Sequence, residues 1–144
     1  TLCGGRLAPV LEAVKLMARS IHVEVTNLVI PGRNDSPESF RALAEWVASE
    51  CGRDTPLHFS AYYPAWKATF PPTPLETLVE ARDTALEYLD FVFLGNVGPG
   101  PWNDTVCPAC GNVLIKRTYY SVSLSGLRDG RCASCGAPAP FIRS

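Results

Sequence analysis

Leu7, Val10, Leu11, Val14, Ala18 and Ile21 recur at three- and four-residue intervals, which predicts an amphipathic helix over residues 7–20. Residues 22–30 then alternate and are rich in β-branched side chains, so they read as a strand, ended by Pro31-Gly32. Ser36, Pro37 and Glu38 carry the marks of an N-cap, a first-turn proline and a first-turn acid. Phe40, Leu43, Ala44, Val47 and Cys51 form the apolar stripe of the helix that follows. A second strand runs from Leu57 to about Ser60. After an aromatic loop from Ala61 to Pro72, Thr73-Pro74-Leu75-Glu76 reads as a capping box with proline at the first helical position. Leu75, Leu78, Val79, Ala85, Leu86 and Leu89 carry the third helix. Phe91-Val92-Phe93-Leu94 is a short, wholly apolar strand of the kind buried on both faces.

Strands separated by single helices pair in parallel through right-handed crossovers. The expected class is α/β, either a doubly wound sheet or a (β/α) barrel. Because the chain opens on a helix and offers three strands before residue 95, it reads as the C-terminal part of a barrel-like domain. Residues 95–101 hold three glycines and two prolines, the composition of a linker or mobile loop. Beyond it come short strands, turns and cysteine pairs. The expected boundary therefore divides residues 1–103 from a small unit at 104–144.

Composition narrows the class. The chain has 144 residues, about one domain's worth. Thirteen basic against 14 acidic residues give a formal charge of −1, which supplies no attraction to nucleic acid or an anionic membrane. No apolar run approaches the ~20 residues of a membrane span. The start lacks a basic region followed by an apolar stretch and has no initiator Met, so the expectation is a cytoplasmic protein with residues missing before Thr1.

Four of the six cysteines form two matched knuckles, Cys107-Pro108-Ala109-Cys110-Gly111 and Cys132-Ala133-Ser134-Cys135-Gly136, separated by 21 residues between Cys110 and Cys132. Two residues between cysteines let one tight turn aim both sulfurs at one ion. The following glycine lets the backbone turn back, so that N–H groups can point at the sulfurs. Four thiolates suit a tetrahedral Zn²⁺ without an open position, a structural site in a reducing compartment. Iron in the same four-sulfur geometry, two disulfides and four free thiols are the other readings. Val113 to Leu124 reads as strand and Asp129-Gly130 as the turn before the second knuckle, the layout of a zinc ribbon. A unit this small needs its metal to fold, and it serves either as structure or as a docking surface for a protein partner. Cys51 continues an apolar stripe and reads as an inert buried thiol; Cys3 has no partner at metal spacing.

In such folds ligands bind at the C-terminal ends of the strands. Here that end is built by residues 31–36, residues 61–67 and the loop beginning Gly95-Asn96. Thr26 and Asn27 interrupt one apolar strand, and His58 and Ser60 sit two apart on one face of the next. A buried polar group needs a neighbour or a ligand. Asn27 reads equally as an interior hydrogen-bonding residue or a ligand contact, and His58 as a satisfied core histidine or a ligand contact. Tyr62, Tyr63 and Trp66 roof the sheet or line a site. Arg33 and Asp35 read as surface residues, Asp35 helping to cap the next helix. No Ser-His-Asp set, catalytic carboxylate pair or phosphate-binding glycine loop can be assembled.

Residues 25–36, VTNLVIPGRNDS, resemble the strand and loop of radical SAM proteins related to pyruvate formate-lyase activating enzymes. The run HFSAYYPAWK at residues 58–67, then PPTP at 71–74 and ETL at 76–78, extends the likeness. Leu94-Gly95-Asn96-Val97 and the cysteine ribbon narrow it to the radical SAM proteins of the AmmeMemoRadiSam system, over residues 4–141. The resemblance implies a partial TIM-like (β/α) barrel that binds a [4Fe–4S] cluster and S-adenosylmethionine (SAM). Reductive cleavage of SAM would give a 5′-deoxyadenosyl radical that abstracts hydrogen from a substrate the sequence does not identify. Two departures matter. The family's CxxxCxxC cluster motif is absent, so this chain alone is expected to be inactive. Where the family reads Arg-Phe-His-Pro, this chain has Ala61-Tyr62-Tyr63-Pro64, so Tyr63 stands for the histidine that would help position SAM. The candidate cofactor-binding residues are Asn27, His58, Ser60 and Tyr63, and the candidate metal ligands are Cys107, Cys110, Cys132 and Cys135. The alternative is a non-catalytic zinc-ribbon interaction module on a degenerate barrel scaffold.

Overall fold

The computed structural model describes residues 4–139; Cys3 and the end of the resemblance at Phe141 lie outside them. Helix α1 (Leu7–Ala18) leads to β1 (Val25–Val29), α2 (Pro37–Glu50), β2 (Leu57–Ala61), α3 (Leu75–Leu86) and β3 (Val92–Gly95). The three strands form one parallel sheet in the order β1-β2-β3, with Thr26 opposite His58, Asn27 opposite Phe59, and Ser60 opposite Leu28 and Gly95. The chain is mixed α/β, and among the described residues the sheet does not close into a barrel.

Burial alternates along β2: Leu57, Phe59 and Ala61 are buried while His58 and Ser60 are half-buried. The buried set meets Phe40, Ala44 and Val47 of α2 and Leu78, Ala81 and Ala85 of α3 in the main core. Phe40 packs edge-on against Phe59, ring centroids 5.4 Å apart. The other face carries exposed Thr26 and Leu28, and half-buried His58, Ser60 and Phe93. Phe93 corrects the expectation of a third strand buried on both faces.

The edges of the sheet differ. Leu57 N–H bonds Phe91 O, so by alternation Val92 and Leu94 turn their carbonyls outward. Arg82 Nε donates to Val92 O at 3.2 Å and Asn103 Nδ2 to Leu94 O at 3.0 Å, so side chains occupy both outward carbonyls of the β3 edge. On β1, Val25 N–H points inward to Pro56 O, leaving Thr26 and Leu28 facing out. There, among the described residues, Asn34 caps one end, donating to Leu28 O at 3.0 Å and accepting from Ile30 N–H at 2.8 Å.

Local signals place α2 as expected: Ser36 is the N-cap and accepts from Ser39 N–H at 3.2 Å, with Pro37 in the first turn. Asp35 does not assist the cap; its carboxylate accepts from Gly32 N–H at 2.9 Å within the turn. Other expectations need correction. The first strand begins at Val25, and the first helix ends at Ala18 with none of its side chains buried. Of its expected apolar stripe, Leu7, Val10 and Ile21 stand exposed, Ile21 beyond the helix end, while Leu11, Val14 and Ala18 are half-buried; Leu16, outside the stripe, is exposed as well. A Lys15–Glu50 ion pair, 2.5 Å between charged atoms, links α1 to α2. Thr73 makes no capping box; Pro74 is the N-cap of α3 without a side-chain cap bond. Buried Thr73 Oγ1 instead accepts from Tyr62 N–H at 2.8 Å and donates to Val29 O at 2.6 Å, joining three segments. The glycine-rich run after β3 is also no bare linker. It ends in a 3-10 turn over Pro101–Asn103, where Asn103 Oδ1 accepts from Gly100 N–H and Trp102 Nε1 donates to Gly98 O, both at 3.1 Å.

The remaining residues form β4 (Thr105–Val106), β5 (Val113–Thr118), β6 (Ser121–Ser123), β7 (Leu127–Arg128) and β8 (Arg131–Cys132). The expected single strand over 113–124 is an antiparallel hairpin turning at Tyr119, which lies in the left-handed region at φ 50°. The turn at Asp129-Gly130 joins β7 to β8 as expected. A second, smaller core of Cys107, Leu114, Ile115 and Cys132 lies here.

Candidate metal centre and strand-end residues

The four cysteines of the two knuckles meet, with all four Sγ atoms within 4.8 Å of one another. The knuckles are near copies. Gly111 N–H bonds Cys107 O at 2.8 Å and Gly136 N–H bonds Cys132 O at 2.9 Å, while Cys107 N–H and Cys132 N–H each donate to the residue after the glycine at 2.8 Å. Both turns close through a left-handed glycine, Gly111 at φ 72° and Gly136 at φ 75°. The two Cys107–Cys135 and Cys110–Cys132 sulfur pairs are each 3.7 Å apart. A tetrahedron with metal–sulfur bonds of ~2.3 Å has sulfur–sulfur edges of ~3.8 Å, so the donor set fits one four-coordinate ion. That separation excludes disulfides in this arrangement, since bonded sulfurs lie ~2.05 Å apart.

The surroundings pull two of the thiols in opposite directions. Backbone N–H groups of Cys135 and Ser134, with hydrogen bonds from the Cys110 and Cys135 thiols, hold the Cys132 thiol down to about 6 against a smaller opposing effect of burial. At Cys135 the Ala137 N–H pulls the thiol down, but Cys110, burial, Cys132 and Cys107 outweigh it and push the thiol up to about 12. Without an ion, four thiols at this range cannot all ionise; a divalent cation removes the conflict and displaces the protons. Asn112 Nδ2 also points at Cys132 Sγ, 3.7 Å away. The sequence reading missed this residue, whose one signal is its place directly after the first knuckle. Cys51 is different: burial and then Glu50 push its thiol up, in keeping with an inert side chain.

The four candidate cofactor residues do not converge. His58 lies near the start of β2, where its Nε2 meets Glu24 Oε2 at 2.8 Å. Its ring is 5.3 Å from that of Phe93. Ser60 shares that face but sits toward the opposite strand end, beside Gly95, where an added Cβ would lie 3.3 Å from Ser60 Oγ. Asn27 pairs with Phe59 and so occupies the helix-covered face, its Oδ1 accepting from Asn34 Nδ2 at 3.2 Å. Tyr63 belongs to the strand-end loop; its hydroxyl donates to Asn96 O at 3.1 Å, while Asn96 Nδ2 donates back to Ala61 O at 3.2 Å. That clasp ties the loop after β2 to the loop after β3.

Glu24 and Arg117, neither singled out by the sequence, organise the other end of the open face. Glu24 takes His22 Nε2 at 3.1 Å and His58 at 2.8 Å on its two oxygens. An ionised carboxylate only accepts, so each imidazole carries its proton on Nε2. Burial raises the Glu24 pKa, but the hydrogen bonds and charges of the two histidines outweigh it and leave the carboxyl below its ordinary range. Arg117 of β5 lies over Phe93, 5.5 Å from the centroid, and donates to Asn103 O and Thr105 Oγ1. It joins the cysteine unit to the open face of the sheet beside a cavity of about 700 Å³ that Glu24 and Phe93 also line.

No family model and no solved structure matches the chain. It is similar to the uncharacterized protein MJ0808 of Methanocaldococcus jannaschii, 43% identical over 146 aligned positions that cover 98% of this chain and 44% of the relative. The chain thus spans less than half the length of that relative. No helix among the described residues is long and apolar enough to cross a membrane.

Proposed function

We propose that the chain is the C-terminal part of a cytoplasmic radical SAM enzyme: an open, TIM-like (β/α) barrel segment followed by a structural Zn²⁺ ribbon. The observation that carries this reading is the face of the parallel sheet that neither crossover helix covers. Both crossover helices cover one side, while Thr26, Leu28, His58, Ser60 and Phe93 stand on the other, which becomes the lumen when further strands are added. The two edges agree. Arg82 and Asn103 occupy both outward carbonyls of β3, while on β1 Asn34 covers Leu28 O and leaves the Thr26 backbone groups outward, so strands are added at β1 and the barrel stays open on the far side. A relative more than twice as long leaves room for the added strands.

The cysteine quartet holds zinc, whose chemistry here is to fix the two knuckles. A [4Fe–4S] cluster does not fit these four cysteines, whose paired sulfurs at 3.7 Å enclose the space of a single ion, and the chain holds no CxxxCxxC. On this reading the cluster ligands belong to another segment of the longer protein. The test is the longer protein, reconstituted anaerobically with iron and sulfide and supplied with SAM and a reductant. Formation of 5′-deoxyadenosine supports the reading; a longer protein without CxxxCxxC, or without that product, overturns it.

One observation favours the second reading, a non-catalytic module on a degenerate scaffold. Tyr63, standing for the family's histidine, already spends its hydroxyl on Asn96 O. If SAM does not bind the longer protein, the clasp is structural and the ribbon is a docking unit for a protein partner.

A further inference from the structure

The loop between β2 and α3 holds an exposed aromatic side chain in an unfavourable backbone conformation. Trp66 is 91% exposed and lies in the left-handed region at φ 53°. A bulky residue there is an outlier, and such strain gathers at ligand-binding positions. Lys67 Nζ is 4.6 Å from the centroid of the Trp66 ring, so a cation and a flat ring are presented together. Arg33, from the turn after β1, packs against the same loop with its guanidinium carbon 4.8 Å from the centroid of Phe70. Phe70 meets Tyr62 edge-on, and the buried Tyr62 hydroxyl has no hydrogen-bond partner among the described residues. Among the described residues, neither Arg33 nor Lys67 forms an ion pair.

We propose that this loop binds an anion that carries a flat π-bonded ring, the ring stacking on Trp66 and the charge meeting Lys67 and Arg33. An incoming ring competes with Lys67 for the face of Trp66. The displaced ammonium then moves to the rim, where the ligand's anionic group lies. Ring phosphates and ring carboxylates share this chemistry. SAM does not, because its sulfonium leaves it a net cation facing two uncompensated positive side chains. The loop stands at the C-terminal ends of β1 and β2, where substrates enter folds of this kind. Assigning the ligand as the substrate rests on the radical SAM reading; the binding itself does not.

The test is a titration of the ¹⁵N-labelled 144-residue chain, following its three tryptophan indole N–H signals. The probes are uridine 5′-monophosphate, uridine, inorganic phosphate and benzoate. The signal that disappears in Trp66→Phe is expected to shift saturably with uridine 5′-monophosphate, with benzoate, or with both. The first alone assigns a ring phosphate, the second alone a ring carboxylate. Uridine and phosphate should each bind at least about tenfold more weakly, and Lys67→Glu and Arg33→Glu should each weaken the binding probe by about tenfold. No saturable shift of the Trp66 signal with either ring anion overturns the proposal. So does uridine binding as well as its phosphate, or both charge reversals leaving affinity unchanged. The titration contains no iron and no SAM, so it succeeds or fails independently of 5′-deoxyadenosine formation.

Discussion

His58 and Glu24, 34 positions apart in the chain, meet at 2.8 Å between Nε2 and Oε2 at the N-terminal end of the sheet's open face. The contact gives a polar strand residue a partner within the fold. It also makes Glu24 a carboxylate whose folded-state pKa lies below its unfolded value.

The sign of its pH dependence follows. A depressed carboxyl contributes stability that is fully present above its unfolded value of ~4.3 and is lost as the pH falls through the folded value. The site is half-exposed, so solvent screening limits the contribution to about 0.5 kcal/mol. Urea melts of the native chain and Glu24→Gln should differ by that amount from neutral pH to about pH 5 and converge in stronger acid. A difference that persists or grows below the native pKa would show that the histidines do not hold the carboxylate ionised.

The cysteine unit should behave as a metal-linked fold. Elemental analysis and native mass spectrometry are expected to find one ion per chain, bound by Cys107, Cys110, Cys132 and Cys135. Cys110→Ser should abolish tight binding and expose the amides of β5 to β8 to hydrogen exchange, while those of β1 to β3 stay protected. Two ions per chain, or none after purification without chelator, would contradict the single tetrahedral site. Global exchange in the variant would contradict two separable cores.

The order of helices and strands, the Ser36 cap and the cysteine quartet were legible in sequence because each is written within a few neighbouring residues. What stayed hidden depends on residues distant in the chain. A period-two pattern places His58 and Ser60 on one face, but only the register with β1 puts Asn27 on the other, since a slip of one residue exchanges faces. Thr73 stands where a capping residue stands, yet a tertiary contact with Val29 outcompetes the local one. The hairpin turn escaped because Tyr119-Tyr120 carries none of the glycine, asparagine or aspartate that marks such turns.

Thr73 gives a sharp test of buried hydrogen bonding. Thr73→Val preserves shape but leaves Tyr62 N–H and Val29 O without their shared partner. The expected loss is about 2–3 kcal/mol, read as a lower urea midpoint at unchanged slope. Thr73→Ser keeps the hydroxyl and should cost under about 1 kcal/mol, for the lost methyl group alone. Equal losses in both variants would assign the effect to packing rather than to the hydroxyl.

Helix α1 buries none of its side chains, with Leu16 67% and Leu7 70% exposed, and Leu28 stands on the face of the sheet that neither crossover helix covers. Leaving even ~300 Å² of apolar surface in water forgoes about 7 kcal/mol at ~25 cal/mol per Å², comparable to the net stability of a whole domain. The 144-residue chain should therefore melt at low temperature or self-associate, and a longer protein that supplies further strands should do neither. The asymmetry of the edges says where association occurs. Side chains occupy both outward carbonyls of β3, whereas on β1 Asn34 covers Leu28 O and the Thr26 backbone groups turn outward, a template for another strand. Thr26→Pro removes an outward N–H, which an edge strand tolerates, and Leu28→Lys adds a charge to the same edge. Both should shift the chain toward monomer in light scattering without loss of helical circular dichroism. A monodisperse, cooperatively melting monomer of the unmodified chain would show that this sheet needs no further strands, and the barrel reading would fall with it.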